Sequence, residues 1–135
     1  MYWKGTVPRL RNLQNDTYNQ NMTELIEKKS RFIAYAARIA DETEAKAIVE
    51  SLEKEHKRGR HVVYAYVTDG KEKFSDAGEP NGTAGLPILN AIKRRNLENI
   101  IVVVVRYFGG ILLGKGGLIR AYGKAAGKEL DKQVT

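Results

Sequence analysis

The chain has no cysteine, three prolines, two histidines and one tryptophan in 135 residues. Without cysteine there are no disulfides, no thiolate zinc sites and no cysteine nucleophile. Two lone histidines do not make up a zinc ligand set, so neither a metal nor another cofactor is expected. The longest strongly apolar run, Ile100–Val105, is far short of the ~20 residues that cross a bilayer, and no membrane contact is expected. Met1–Gly5 lacks the apolar core of a secretory signal. A cysteine-free chain fits a reducing compartment, and the cytoplasm is the expected location. Acidic residues are outnumbered: 16 Asp and Glu stand against 23 Lys and Arg, for a formal net charge of +7. Such a balance favours acidic partners, namely nucleic acid, a ribosomal surface or an acidic protein, although solubility alone also accounts for it.

What is present reads as alternating strands and helices. Residues 1–20 are polar and form an expected N-terminal arm, followed by one domain over 21–135. Met22–Glu27 and Arg31–Ile39 are strand candidates. Asp41-Glu42-Thr43-Glu44 opens a helix with acids first, Ala45, Ile48, Val49 and Leu52 form its buried stripe, and Gly59 stops it. His61–Thr68 is a strand, with His61, Val63 and Ala65 on one face and Val62, Tyr64 and Tyr66 on the other. Asp69-Gly70 turns the chain into a short return strand. A helix from Thr83 to about Arg95 follows, with Pro87 near its first turn. Asn99–Arg106 is a β-branched run that predicts a strand buried on both faces. Leu118–Leu130 is the last helix. The fold class is α/β or α+β, with a mixed sheet packed against helices that cover one of its faces.

Two glycine-rich stretches separate these elements. In Arg106–Gly117, Gly109, Gly110, Gly114 and Gly116 lie between a buried strand and a helix. Glycines allow backbone amides to approach a ligand, and a helix N-terminus attracts anions. Gly109-x4-Gly114-Lys115 matches the start of a phosphate-binding P-loop, but Gly116 stands where serine or threonine would hold magnesium. Tight structural turns explain the glycines equally well. In Ser75–Gly85, the candidate site residues are Asp76, Glu79, Asn81, Gly82 and Thr83. Paired carboxylates suit acid–base chemistry. The competing reading is turn and capping chemistry, with Thr83 capping the next helix. His61 begins a strand and is a candidate site residue, an acid–base group with Asp76 or Glu79, though a lone strand-start histidine also reads as structural; His56 reads as a solvated charge at a helix end.

Basic residues cluster at Lys28-Lys29-Arg31, at Lys54-Lys57-Arg58-Arg60 and at Lys93-Arg94-Arg95. Arg106, Lys115, Arg120 and Lys124 form a further set at the second glycine stretch, with Arg120 and Lys124 on one helix face. Tyr64, Tyr66, Tyr107 and Phe108 offer stacking surfaces for bases. Solvated helix ends account for the same clusters.

The segments SDAGEPNGTAGLPIL (Ser75–Leu89) and VVVVRYFGGILLGKGGLIRAYG (Val102–Gly123) closely resemble the signature of the IMPACT family, with KKSRFIA (Lys28–Ala34) and HVVYAY (His61–Tyr66) similar to its flanking motifs. The resemblance runs from about Glu24 to Leu130. It implies the fold of the second domain of a small-subunit ribosomal protein, also used in domain IV of the translocating elongation factor. It implies a role in translational control, which eukaryotic members exert by competing for an activator of an amino-acid-starvation kinase. Bacterial members usually carry a further ferredoxin-like domain, whereas this chain ends at Thr135. Where many members have two successive acids in the first motif, this chain has Asp76-Ala77. Three functions remain in view. One is a non-enzymatic module that binds nucleic acid, RNA rather than DNA, or the ribosome. The second is an enzyme acting on a phosphate-bearing small molecule. The third is a protein-interaction module using Ile111–Leu113.

Overall fold

A computed structural model describes residues 22–58 and 61–133. The expected N-terminal arm, the Gly59 stop and Arg60 lie outside the described residues. Eight elements follow one another: β1 (Thr23–Glu27), β2 (Ser30–Arg38), α1 (Glu42–Glu55), β3 (His61–Thr68), β4 (Lys71–Ser75), α2 (Gly85–Arg94), β5 (Ile100–Tyr107) and α3 (Gly114–Gln133). The α+β expectation holds, with two corrections. The five strands, ordered β1-β2-β5-β3-β4, pair antiparallel throughout rather than in a mixed sheet. The β3–β4 hairpin reverses the chain before α2, so β5 returns antiparallel to β3 and inserts between it and β2. The helices also cover both faces instead of one.

Alternation along the central strands produces this arrangement. Phe32, Ala34, Val63, Val102 and Val104 point to the face carrying α2 and α3, where they meet Ile88, Ile92, Leu118 and Tyr122. Ile33, Tyr35, Ile101, Val103 and Val105 point to the opposite face and meet Ala45, Val49 and Leu52 of α1. The β5 run is thus buried on both sides, as its unbroken β-branched sequence requires. Asp41 caps α1 by accepting from the Glu44 amide at 2.9 Å. Lys28 and Lys29, with φ of 47° and 69°, form the two-residue turn between β1 and β2. The largest correction concerns α3. It starts at Gly114, so Lys115, Gly116 and Gly117 are its first turn, not part of the preceding loop. Among the described residues, no helix is long and apolar enough to cross a membrane.

Candidate functional site

The first glycine stretch is organised by Asp76. Its carboxylate accepts from the Ala84 and Gly85 amides at 3.1 and 2.8 Å and from the Gly82 amide at 2.9 Å. Asp76 therefore caps α2 from eight or nine residues upstream. The cap expected of Thr83 is absent: its hydroxyl donates instead to the Pro80 carbonyl at 2.6 Å, and the N-cap residue of α2 is Ala84. Asn81 is exposed. With three amides on Asp76, Asp76→Ala is expected to cost about 2 kcal/mol, the upper end for a lost cap, read as a lower urea midpoint at unchanged slope.

Glu79 joins the two stretches. Arg106 Nη1 donates to Glu79 Oε1 and Oε2 at 3.0 and 2.8 Å, and both side chains are buried. The Tyr122 hydroxyl of α3 donates to Glu79 Oε2. Burial and the Glu79 carboxylate push the Tyr122 phenol far above its ordinary value, so it stays a donor. His61 Nε2 lies 3.7 Å from Glu79 Oε1, while its Nδ1 donates to the Ala77 carbonyl at 2.8 Å. Arg106 Nη2 also reaches Ser30 Oγ at 3.4 Å, and Ser30 Oγ accepts from the Gly109 amide at 3.2 Å. Arg106 is thus turned inward with its charge balanced by Glu79, instead of facing an outside phosphate. The oxygens of Asp76 and Glu79 are taken up by protein donors, which leaves neither carboxylate free as a general base. Among the described residues, no group of three or more His, Asp or Glu is placed to hold a metal.

One set of outward-facing cations lies at the start of α3, apart from exposed ones elsewhere such as Lys54, Lys57 and Arg58 at the end of α1. The first turn of α3 contains no acid. Lys115 is exposed in that turn, and a Cβ on Gly116 would stand 3.3 Å from Arg120 Nη1, so the Arg120 guanidinium lies back over the helix start. Arg120 and Lys124 line a groove of about 280 Å³ with Gly117, Leu113, Lys28 and Glu27. Among the described residues, no carboxylate pairs with Lys28, Lys115, Arg120 or Lys124, whereas Arg31, Lys93 and Arg95 are paired with Glu24, Glu72 and Asp131. Gly110 and Gly114 adopt φ of 94° and 76° on either side of an exposed tip, where Leu112 is 80% and Ile111 41% accessible.

Three residues escaped the sequence reading. Ser30 carries no sequence signal. Tyr122 reads as an inward core residue, and the rule that a buried phenol finds a partner would have flagged its hydroxyl. His56 is not a solvated charge. It is half-buried, with Nε2 2.7 Å from the Tyr35 hydroxyl and Nδ1 2.7 Å from the Tyr107 hydroxyl. Burial, and then Arg31, lower its pKa below the ordinary 6.5. The unfolded chain therefore takes up the proton first. The stability this group confers is present above pH 6.5 and is lost as pH falls from there through the lowered folded value. His56→Gln should flatten that acid-side decline in urea midpoints measured across neutral and mildly acidic pH.

A family model described as the Impact N-terminal domain matches residues 28–130. The IMPACT family member YvyE of Bacillus subtilis is 46% identical over 111 residues, covering 80% of this chain and 51% of that protein. The chain thus spans about half the length of this curated relative. A crystal structure described as that of a hypothetical protein superposes with a TM-score of 0.76 at 43% identity, covering 84% of this chain and 58% of that one. The two-domain translational regulator Yih1 superposes with a TM-score of 0.52 at 23% identity, over 94% of this chain and 57% of that one, a likeness of fold.

Proposed function

Because the chain belongs to the IMPACT family, we propose that it is a non-enzymatic, translation-regulating module that binds RNA, free or in the ribosome, through the basic surface at the start of α3. The observation that carries this reading is the unbalanced positive charge there. A helix N-terminus already attracts anions, and Lys115 and the folded-back Arg120 add two cations where most helices place acids. Lys28 and Lys124 extend the same surface along the groove. The glycines let backbone and phosphate approach closely. The translation context comes from the fold shared with a translational regulator. The inward Glu79–Arg106 pair supports the reading indirectly, because it fixes the strand that delivers the loop.

Filter binding to a structured RNA over a salt series tests the proposal. With four cations on phosphates, affinity should fall roughly a hundredfold between 50 and 200 mM salt. Lys115→Ala should weaken binding evenly across sequences and reduce the salt slope by about 1. Absence of binding at low salt, or binding with no slope, would reject it.

A further inference from the structure

The buried Arg106 has aromatic neighbours that the ion pair alone does not explain. Its guanidinium carbon lies 5.7 Å from the Phe32 ring centroid and 5.5 Å from that of Phe108. Phe32 is fully buried, but Phe108 is 46% exposed. A cation held inside the fold by Glu79 therefore backs a ring whose remaining surface faces solvent. The position of that ring is fixed on its other side as well. The next residue, Gly109, packs against the β1–β2 turn so tightly that a Cβ would meet the Lys29 carbonyl oxygen at 2.0 Å. The loop that carries Phe108 is thus seated on the turn formed by Lys28 and Lys29, both exposed and unpaired among the described residues. A flat apolar ring beside unbalanced cations complements a polyanion that also offers flat apolar faces.

Resting on the RNA-binding reading, we infer that Phe108 is a stacking platform for an unpaired base, with Lys28 and Lys29 taking the flanking phosphates. The surface then selects RNA with exposed bases over a regular duplex. In a duplex the base faces are stacked on one another and only phosphates are within reach, so the platform contributes nothing. In a loop, bulge or single strand a base can lie on the ring. Every base has a π-face, so the selection is by exposure and not by sequence. An acidic protein segment would satisfy the lysines, but its Asp and Glu side chains offer no flat apolar face to lie on the ring.

The test compares an unpaired RNA carrying a fluorescent purine analogue with a fully paired duplex of equal phosphate number, by filter binding and fluorescence quenching. The unpaired RNA should bind more tightly and be quenched. Phe108→Ala should weaken its binding roughly 5- to 150-fold and abolish the quenching. Duplex affinity and the salt slope should not change. Phe108→Tyr should restore the preference and melt with the parent, whereas Phe108→Ala gives up the covered half of the ring and its contact with Arg106, so it should melt somewhat lower and still be folded at the assay temperature. Equal affinity for the two RNAs, or an Ala variant that loses nothing while Lys115→Ala still lowers the slope, would overturn the platform and leave the RNA reading standing. No binding to either RNA would overturn both. A glutamate-rich peptide that displaces RNA and depends on Phe108 would overturn the platform in favour of a protein partner.

Discussion

Glu79→Ala is expected to destabilise the protein by about 3–5 kcal/mol, the cost of leaving a buried charge without its partner. Arg106 is 7% exposed at its side chain and Glu79 3%, so neither group can turn to solvent when the other is removed. The substitution also strips the Tyr122 hydroxyl of its acceptor and frees the turn that Glu79 anchors. Against a total stability of ~5–15 kcal/mol this is a large share, and urea unfolding should show it as a much lower midpoint. Tyr122→Phe removes one charge-assisted hydrogen bond and should cost less, about 1.5–3 kcal/mol. Replacing both ions, with Glu79→Met and Arg106→Met together, should recover the part of the loss that comes from an unpaired buried charge, while the Tyr122 hydroxyl stays without its acceptor. A single Glu79→Ala loss below 1 kcal/mol would mean the pair is far wetter than its burial indicates.

Gly109→Ala should be nearly as damaging for a steric reason. The added Cβ would stand 2.0 Å from the Lys29 carbonyl oxygen and 2.1 Å from its carbon, and both are backbone atoms that cannot rotate away. The loop and the β1–β2 turn must separate, which breaks the 3.2 Å bond from the Gly109 amide to Ser30. The expected loss is about 3 kcal/mol, at the high end for overpacking, or a fall in melting temperature of ~10 °C. Because Phe108 and α3 flank this junction, RNA affinity should fall as well. A variant with unchanged melting would show that the loop is not pinned where the structure places it.

Local chemistry made part of this fold legible in the sequence. The β5 run announces two-sided burial because six consecutive apolar residues leave no solvated face. Asp41 announces α1 because an acid before an apolar repeat satisfies free amides. The start of α3 was hidden, since Gly114, Gly116 and Gly117 disfavour a helix intrinsically, and it is the packing of Leu118, Ala121 and Tyr122 further along that supports one. The antiparallel sheet and the two-sided helix layers depend on where β5 inserts, which no local pattern encodes. For the candidate site, the two glycine stretches could be singled out, but the link between them could not. Glu79 and Arg106 are 27 residues apart, and only the fold reveals that they neutralise each other. The same holds for His56, whose tyrosine partners lie 21 and 51 residues away. Turn and capping chemistry was legible in Ser75–Gly85, but the cap falls to Asp76, eight or nine positions before its target, and not to Thr83.

The salt dependence of RNA binding by the Lys115→Ala, Arg120→Ala, Lys124→Ala triple variant tests the central claim most directly. All three residues are exposed and, among the described residues, without carboxylate partners, so the variant should fold with the parent's melting temperature. The account predicts that the slope of log affinity against log salt shrinks by about 2 to 3 relative to the parent, with binding at low salt weakened accordingly. A triple variant that binds RNA with the parent's slope would contradict it and place the phosphate contacts elsewhere on the molecule.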